Sequence, residues 1–369
     1  MRPRNLEFKV GHLLIIGFDG TEMSPRLSSL LTRVQPAGVI LFARNITGAE
    51  QTHTLLRECQ KCVSTPLFAC VDLEGGTVDR FRNVLGPAPS PASAFATANR
   101  QIFRKHGCII GENCRALGFN VDFAPALDLS FEASRSVMSS RAVSADPKQV
   151  VVYAREFLGG LSEAGVLGCG KHFPGLGEAN LDTHHELPRV DKPLKKLWQQ
   201  DLVPYRTLRR ELPFVMVSHA AFPAVTKTAT PASLSKKWIT DILRKKIGYR
   251  GLICSDDLEM SGVLAAGPIE QTAIEHIRAG GDLALICHQE EFILRAHEAM
   301  VREAERDRYF RRRVEESARR VLAFKKRWLG RRRLAPSPTL AKVEKLTRQL
   351  WEFGEEIRLA TLDRQERSA

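Results

Sequence analysis

Short apolar runs rich in valine, isoleucine, leucine and phenylalanine alternate along the chain with longer segments of mixed polarity. Each run has the length of a buried parallel strand and lacks the apolar–polar alternation of a half-exposed one. The eight runs are Leu13–Phe18, Gly38–Ala43, Leu67–Val71, Phe119–Ala124, Val166–His172, Phe214–Ser218, Leu252–Ser255 and Leu283–Cys287. Helical patterns lie between them, at Asp146–Ala164, Ser235–Ile247 and Ile269–Ala279. This order predicts an α/β fold, a (β/α)8 TIM-like barrel, with an open doubly wound sheet as the alternative because a pattern does not show whether a sheet closes.

The last part of the chain departs from this repeat. Arg306–Arg333 is rich in arginine and lysine, yet apolar residues recur through it at helical spacing, namely Val314, Ala318, Val321 and Leu322. That pattern favours a docked helix with a solvated basic face over a nucleic-acid site. A proline-containing LAPSP segment then breaks the helix, and Thr339 can cap a final helix that reaches about Arg358. We therefore predict a barrel over residues 1–330 and a C-terminal helical extension over residues 331–369.

Composition and charge narrow the class of protein. The 369 residues are 43% hydrophobic and 26% charged, as in a soluble globular protein. No run approaches the roughly 18 apolar residues that a membrane helix needs, and the first apolar run is too short for a signal peptide. The formal net charge of +13 raises nucleic-acid binding as an alternative, although a basic surface could equally attract an acidic substrate. We expect a cytoplasmic monomer with neither a membrane nor a nucleic-acid partner.

Cysteine usage predicts reduced thiols and no metal site. Four of the eight cysteines lie inside apolar runs, where cysteine behaves as a small hydrophobic residue, and these are Cys70, Cys169, Cys254 and Cys287. Cys59 and Cys62 form a single C-x-x-C without a second pair or a nearby histidine, which disfavours zinc. No glycine-rich dinucleotide motif follows a strand and no P-loop lysine motif occurs, so we expect no cofactor.

Charged and imidazole side chains follow most of the predicted strands. They are Asp72, Asp122, Asp128, Lys171, His172, His219, Asp256 and His288. Because the carboxyl ends of barrel strands meet at one mouth, we expect these side chains to surround a common cavity.

Three segments carry candidate chemistry. A run of about 15 residues after Lys171-His172 has no periodic element and is rich in glycine, proline, histidine and aspartate, which is typical of a functional loop. Within it, Asp182 and His184 could form a carboxylate–imidazole dyad for proton transfer, or His184 could merely hydrogen-bond Asp182 on the surface. In Ser255–Met260, one of the two adjacent aspartates can face the barrel axis as a nucleophile, while the other caps the following helix. In Asp72–Arg80, paired glycines allow a tight turn, and the two end residues offer an acceptor and a fork of donors for sugar hydroxyls.

Together these segments resemble glycoside hydrolase family 3, and within it the bacterial β-N-acetylhexosaminidases of cell-wall recycling. The motifs that carry the resemblance are D-x-E-G-G-x-V-x-R, D-F-A-P, K-H-F-P-G-x-G with D-T-H, V-S-H, P-A-S-L-S and S-D-D-L-x-M. The chain departs from the family pattern at Leu73, Thr77 and Leu176, where the family usually has glutamine, arginine and histidine. These departures bear on loop packing and on fine substrate preference.

The resemblance implies a role for each matching residue. Asp256 would be the nucleophile and His184 the general acid/base, with Asp182 as its partner. The pocket for the terminal sugar would be lined by Asp72, Arg80, Arg141, Lys171 and His172. The expected activity is retaining hydrolysis of a terminal β-linked N-acetylglucosamine through a glycosyl–aspartate intermediate, on fragments derived from peptidoglycan. The alternatives are a related glycosidase or glycoside phosphorylase with another sugar specificity and, from another class, a nucleic-acid-binding or scaffold protein on an inactive barrel.

Overall fold

Strands appear at all eight apolar runs in the computed structural model, which describes residues 6–179, 187–330 and 335–368. In chain order the strands are β1 Leu14–Ile16, β2 Gly38–Ile40, β3 Phe68–Val71, β4 Leu73–Gly75, β5 Val78–Asp79, β6 Val121–Asp122, β7 Leu167–Phe173, β8 Phe214–Val217, β9 Leu252–Asp257 and β10 Leu283–Ile286. Strands β4 and β5 form a separate antiparallel hairpin. The others form a closed, parallel barrel in chain order, with β1 pairing to β10, so the barrel is confirmed and the open sheet is wrong.

Helices cover the outside of the barrel. The α-helices are α1 Leu6–Gly11, α2 Pro25–Val34, α3 Ala49–Cys62, α4 Arg82–Leu85, α5 Pro91–Ala96, α6 Arg100–Ala116, α7 Arg135–Met138, α8 Pro147–Glu163, α9 Leu194–Gln199, α10 Val203–Thr207, α11 Pro223–Thr226, α12 Ser261–Leu264, α13 Ile269–Ala279, α14 Glu290–Arg306, α15 Arg308–Trp328 and α16 Leu340–Ser368. Short 3-10 helices lie at Ala43–Asn45, Glu132–Ser134 and Ala232–Leu234. The pattern at Ser235–Ile247 forms a π-helix over Lys237–Lys246 rather than an α-helix.

The barrel strands lack apolar–polar alternation because both of their faces pack against apolar side chains. In β1, Ile15 belongs to the cluster that fills the barrel, whereas Leu14 and Ile16 belong to the cluster beneath the helices. Both faces of the strand are therefore buried, as is usual in parallel sheets covered by helices. Cys70 and Cys169 lie in the barrel cluster with Ile15, and both are free thiols.

The basic C-terminal helices pack as the apolar spacing predicts. Helix α15 buries a stripe of Phe310, Val314, Ala318 and Val321, and its exposed residues are largely basic. Helix α16 begins after Thr339, whose hydroxyl accepts a hydrogen bond from the Lys342 N–H at 3.3 Å, and continues well past Arg358 to Ser368. It packs against α4, α5 and α6. Within the described ranges, no helix has the length and apolarity needed to cross a membrane.

Candidate active site

A buried ion-pair network occupies one side of the barrel mouth. Glu74, on β4, is fully buried and accepts hydrogen bonds from Arg141 Nε at 2.8 Å and Arg141 Nη2 at 2.7 Å. Lys171 Nζ lies 2.8 Å from the Glu74 carboxylate and 2.7 Å from Asp72 Oδ1. Burial alone would raise the pKa of Glu74, but Lys171 and Arg141 outweigh it and hold that pKa far below its usual value. The network therefore presents fixed charges and donors to the cavity.

The turn between β4 and β5 brings Glu74 to this position. Gly75 has a φ of +87°, a conformation that favours glycine, and a Cβ at this position would lie 2.0 Å from the Pro89 carbonyl oxygen. The chain preceding the turn is held by Asp122, whose carboxylate accepts a hydrogen bond from the Leu73 N–H at 2.9 Å. Asp122 is completely buried, and burial raises its pKa well above the usual range. Asp122 therefore supports the strand that carries Glu74 into the turn.

His172 is oriented by Asp128. Its Nδ1 lies 2.7 Å from Asp128 Oδ2, and its Nε2 lies 3.4 Å from Arg141 Nη2. A carboxylate next to Nδ1 and a guanidinium next to Nε2 favour the tautomer with the proton on Nδ1. The other carboxylate oxygen of Asp128 accepts the Leu176 N–H at 2.7 Å. This bond uses the backbone, so the leucine at that position does not remove it.

The two adjacent aspartates at the end of β9 have different surroundings. Asp256 Oδ1 accepts the Asp257 N–H at 2.9 Å. Burial alone would raise the pKa of Asp256, but nearby positive charge, first that of His172, and the hydrogen bond from the Asp257 N–H outweigh it, and the pKa lies below its usual value. Asp257 instead accepts the Glu259 N–H at 3.1 Å and lies 3.3 Å from His288 Nε2.

Asp257 is therefore chemically distinct from Asp256. Burial, reinforced by the charges of Glu259 and Asp256, raises the pKa of Asp257 to about 7. Its side chain closes a local turn rather than capping α12, whose N-terminal cap is Met260. Of these two aspartates, only Asp256 is an ionised carboxylate throughout the neutral pH range.

A hydrogen-bond relay links the end of β8 to Asp256. Burial lowers the pKa of His219, so its ring is neutral near pH 7. His219 Nε2 lies 2.8 Å from the Asp257 carbonyl oxygen, which can only accept, and Nδ1 lies 2.7 Å from Ser233 Oγ. The Ser233 hydroxyl must then donate to Nδ1, and the Nε2–H donates to the Asp257 carbonyl. The relay fixes the carbonyl group of Asp257, the residue whose own N–H holds the Asp256 carboxylate.

An aromatic and cationic rim forms another part of the mouth. Phe42 stacks on His288 with ring centroids 5.4 Å apart, and the Arg80 guanidinium carbon lies 5.6 Å from the Phe42 centroid. Arg44 lies 4.7 Å from the same ring and donates to the Cys287 carbonyl at 2.6 Å. Arg80 Nε is buried without a hydrogen-bond partner among the described residues.

The predicted site residues divide into three groups. Asp72, Arg141, Lys171 and His172 form one connected cluster, and the charges of His172 and Lys171 act on Asp256. Arg80 lies on the rim beside Phe42. Asp182 and His184 lie outside the described residues.

Glu74 was not singled out by the sequence reasoning. Its position could have indicated a role in the site, because Glu74 lies two residues after Asp72, directly before a glycine pair and just after a predicted strand. The other two departures from the family pattern lie near it: Leu73 is buried, and Thr77 Oγ1 contacts Ser140 Oγ at 2.7 Å. In the part of the chain that the structure describes, no group of three or more histidine, cysteine, aspartate or glutamate residues could hold a metal ion.

Comparisons with known proteins agree with the barrel fold and show the family of the chain. The model of the glycosyl hydrolase family 3 N terminal domain matches residues 5–324. A β-hexosaminidase of Idiomarina loihiensis is 36% identical over 279 residues, which are 74% of this chain and 83% of that protein. A β-hexosaminidase of Alkalilimnicola ehrlichii is 36% identical over 287 residues, 76% of this chain and 82% of that protein. Among solved structures, a glycoside hydrolase family 3 β-N-acetylglucosaminidase from Paenibacillus sp. str. FPU-7 superimposes with a TM-score of 0.87 at 32% identity, covering 95% of this chain and 69% of that one.

Proposed function

The chain belongs to glycosyl hydrolase family 3 and is a β-hexosaminidase, and we propose that it removes a terminal β-linked N-acetylglucosamine with retention of configuration. The Paenibacillus β-N-acetylglucosaminidase supports this choice of sugar. The likeness of the K-H-F-P-G and D-T-H motifs to enzymes of cell-wall recycling supports peptidoglycan-derived fragments as the substrate class.

One observation carries the proposed mechanism: Asp256 is an ionised carboxylate at the barrel mouth, with one oxygen held by the Asp257 N–H. An ionised carboxylate held in a fixed direction is suited to attack an anomeric carbon. Asp257 is a poorer nucleophile because its pKa is raised to about 7 and its oxygens face Glu259 N and His288. We therefore assign the nucleophile to Asp256.

The ion-pair cluster supplies the sugar-binding groups in this proposal. Asp72 offers an acceptor, and Lys171 and Arg141 offer donors whose orientation is already fixed by Glu74. Fixed donors bind hydroxyl groups without the cost of ordering long side chains on association. Arg80 adds a further guanidinium at the rim, beside Phe42.

In this proposal His184 is the general acid/base and Asp182 is its hydrogen-bond partner. The assignment rests on the family motif and on the spacing of the two residues. Asp256 attacks the anomeric carbon while His184 protonates the leaving glycosidic oxygen. Neutral His184 then takes a proton from water, the water oxygen bonds to the anomeric carbon, and Asp256 leaves as a carboxylate. One water is consumed, both catalytic groups return to their starting states, and two inversions give net retention.

The test compares leaving groups in the His184→Ala variant. A disaccharide needs protonation of its leaving oxygen, whereas a dinitrophenyl glycoside does not. We expect disaccharide hydrolysis to fall by about 10³-fold or more, while the first step with the dinitrophenyl substrate is far less affected. Deglycosylation still lacks its base, so an adduct of one N-acetylglucosamine on Asp256 should accumulate and be detectable by peptide mass spectrometry.

Asp182→Asn is the matched variant, and it should give the same pattern more mildly because the imidazole remains. A His185→Ala variant removes the next histidine along the sequence and should retain normal leaving-group dependence. An equal loss with both substrates in His184→Ala, without an adduct, would contradict the acid/base assignment. Added phosphate that yields sugar 1-phosphate in place of free sugar would identify phosphorolysis instead.

A further inference from the structure

A second cavity lies at the opposite end of the barrel from the candidate active site. Its volume is about 540 Å³, and its walls come from the segments that precede β7, β8 and β9 and from the last turns of α15. The lining residues that matter for its chemistry are Arg209, Arg210, Arg250, Phe324, Arg327 and Trp328. This volume falls within the range of small-molecule sites, roughly 300–1,000 Å³.

The four arginines of this cavity have no carboxylate partner among the described residues, although Arg209 donates to the Arg206 carbonyl at 2.7 Å. In the described residues, none of Arg209, Arg210, Arg250 and Arg327 lies within salt-bridge distance of a carboxylate. The carboxylate that lines the cavity, Glu211, is bound by Arg155 at 2.9 and 3.1 Å from outside the lining set. Four guanidinium groups around one concavity repel one another, and an anion between them removes that repulsion.

An adjoining cavity of about 700 Å³ extends the positive charge. It shares Arg209 with the first cavity and adds Arg206, Lys246 and Trp198. Arg206 and Lys246 each lie 4.3 Å from the Trp198 ring. Neither cation forms an ion pair with a carboxylate in the ranges that the structure covers. The excess of positive charge is therefore continuous across both cavities.

We propose that this basic cavity binds an organic phosphate of nucleotide type, with the phosphates on the arginines and a flat ring at Trp328. Guanidinium groups match phosphate oxygens in pairs of parallel hydrogen bonds, and several unpaired arginines call for a ligand with more than one negative charge. Trp328 is half-buried, and its ring lies 5.2 Å from the Arg327 guanidinium, which provides an apolar surface next to the cations. The site is separate from catalysis, which takes place at the other end of a TIM barrel.

Isothermal titration of the full chain tests the proposal, with ATP, tripolyphosphate and adenosine as probes. We expect ATP to bind at one molecule per chain, tripolyphosphate to bind more weakly, and adenosine to show no measurable binding. Arg209→Ala and Arg250→Ala should each weaken ATP binding by about tenfold or more, because each removes charge-assisted hydrogen bonds. Trp328→Leu should weaken ATP binding but leave tripolyphosphate binding within about twofold.

Arg312→Ala is the control, because Arg312 is exposed on α15, lies outside the cavity lining and has no carboxylate partner among the described residues. It should change ATP affinity by less than about twofold, and all variants should keep wild-type activity on an aryl glycoside, which shows that they fold. Equal weakening by Arg312→Ala and Arg250→Ala would mean a diffuse basic field and overturn the proposal. Absence of ATP binding at millimolar concentration would overturn it as well. Tighter binding of single-stranded oligonucleotide than of ATP, lost in the same variants, would assign the surface to nucleic acid instead.

Discussion

Glu74 is the residue whose substitution tests the structure most directly. Its carboxylate receives three contacts from two cations, at 2.8 and 2.7 Å from Arg141 and 2.8 Å from Lys171, and none of it is exposed to solvent. Glu74→Gln keeps the shape but removes the charge. The amide oxygen of glutamine can still accept a hydrogen bond from one of the two cations. Its NH2 group then faces the N–H donors of the other cation, and no hydrogen bond can form between them.

The expected loss of stability follows from these contacts. Removing one charge from a buried ion-paired cluster costs about 3–5 kcal/mol, because the remaining cations stay buried with too few partners. For a chain of 369 residues this corresponds to a fall in Tm of about 5 °C. The value of kcat/KM should fall by about 10²-fold, because Arg141 and Lys171 lose the group that orients them.

Thermal melts and aryl-glycoside kinetics measure both effects, with Glu163→Gln as the matched control. Glu163 accepts from Arg104 Nε at 3.2 Å and Nη2 at 2.6 Å, in an exposed pair for which a loss of about 0–1 kcal/mol is expected. Melts at several pH values add an independent check. The folded pKa of Glu74 lies far below its ordinary value of 4.5, so its stabilising effect is complete above that value and is lost as the pH falls towards the folded pKa.

The stability gap between wild type and Glu74→Gln should therefore narrow as the pH drops below about 4.5. The reasoning would be refuted by a Glu74→Gln variant no less stable than Glu163→Gln at pH 7, or by a gap that widens in acid. A loss of stability without any change in kcat/KM would instead separate Glu74 from the substrate pocket.

The remaining predictions concern the mouth and the base of the barrel. Asp256→Ala should abolish turnover without unfolding the chain, whereas Asp257→Asn should retain measurable kcat, and the reverse result would reassign the nucleophile. Ser233→Ala should lower kcat by about tenfold while KM changes little, because the relay through His219 then no longer fixes the Asp257 carbonyl; an unchanged kcat would show that the relay is only structural. Burial lowers the pKa of Lys325 to about 7 from an ordinary value of 10.5. Lys325 therefore destabilises the folded protein below pH 10.5, and this destabilisation increases as the pH falls to about 7. Lys325→Met should therefore raise Tm at pH 7 by more than at pH 10, and a lower Tm at pH 7 would contradict this. Prolonged chelation should leave the activity unchanged, since the proposed steps use only carboxylate and imidazole groups; a loss restored by added zinc would overturn them.

Local pattern was sufficient for much of the fold. A buried parallel strand must be apolar on both faces, so each of the eight strands left a continuous apolar run that could be recognised without knowledge of its neighbours. Helix α13 was predicted to the residue, and α8 begins directly after Asp146, whose side chain accepts the Lys148 N–H at 2.9 Å. Capping bonds of this kind span only two or three residues, which is why the sequence reveals them.

Backbone hydrogen bonding in helices was less predictable. The segment Lys237–Lys246 has strong amphipathic spacing, but its π-helical bonding cannot be read from apolar positions alone. The final helix ends ten residues beyond the predicted Arg358. The residues after Arg358 include neither glycine nor proline, so the sequence does not indicate where the helix ends.

The chemistry of the site depended on contacts between distant segments. The sequence by itself determined that carboxylates, imidazoles and a lysine follow the strands, because those positions are local. Closure of the barrel decided that Lys171 meets Asp72 across a separation of 99 residues, and that Arg141 meets Glu74 across 67. It also decided which of Asp256 and Asp257 remains ionised, since burial and neighbouring charges set a pKa and both exist only in the folded chain. Sequence therefore determined the inventory of reactive groups, and tertiary structure decided their partners and protonation, because electrostatic interactions act through space rather than along the chain.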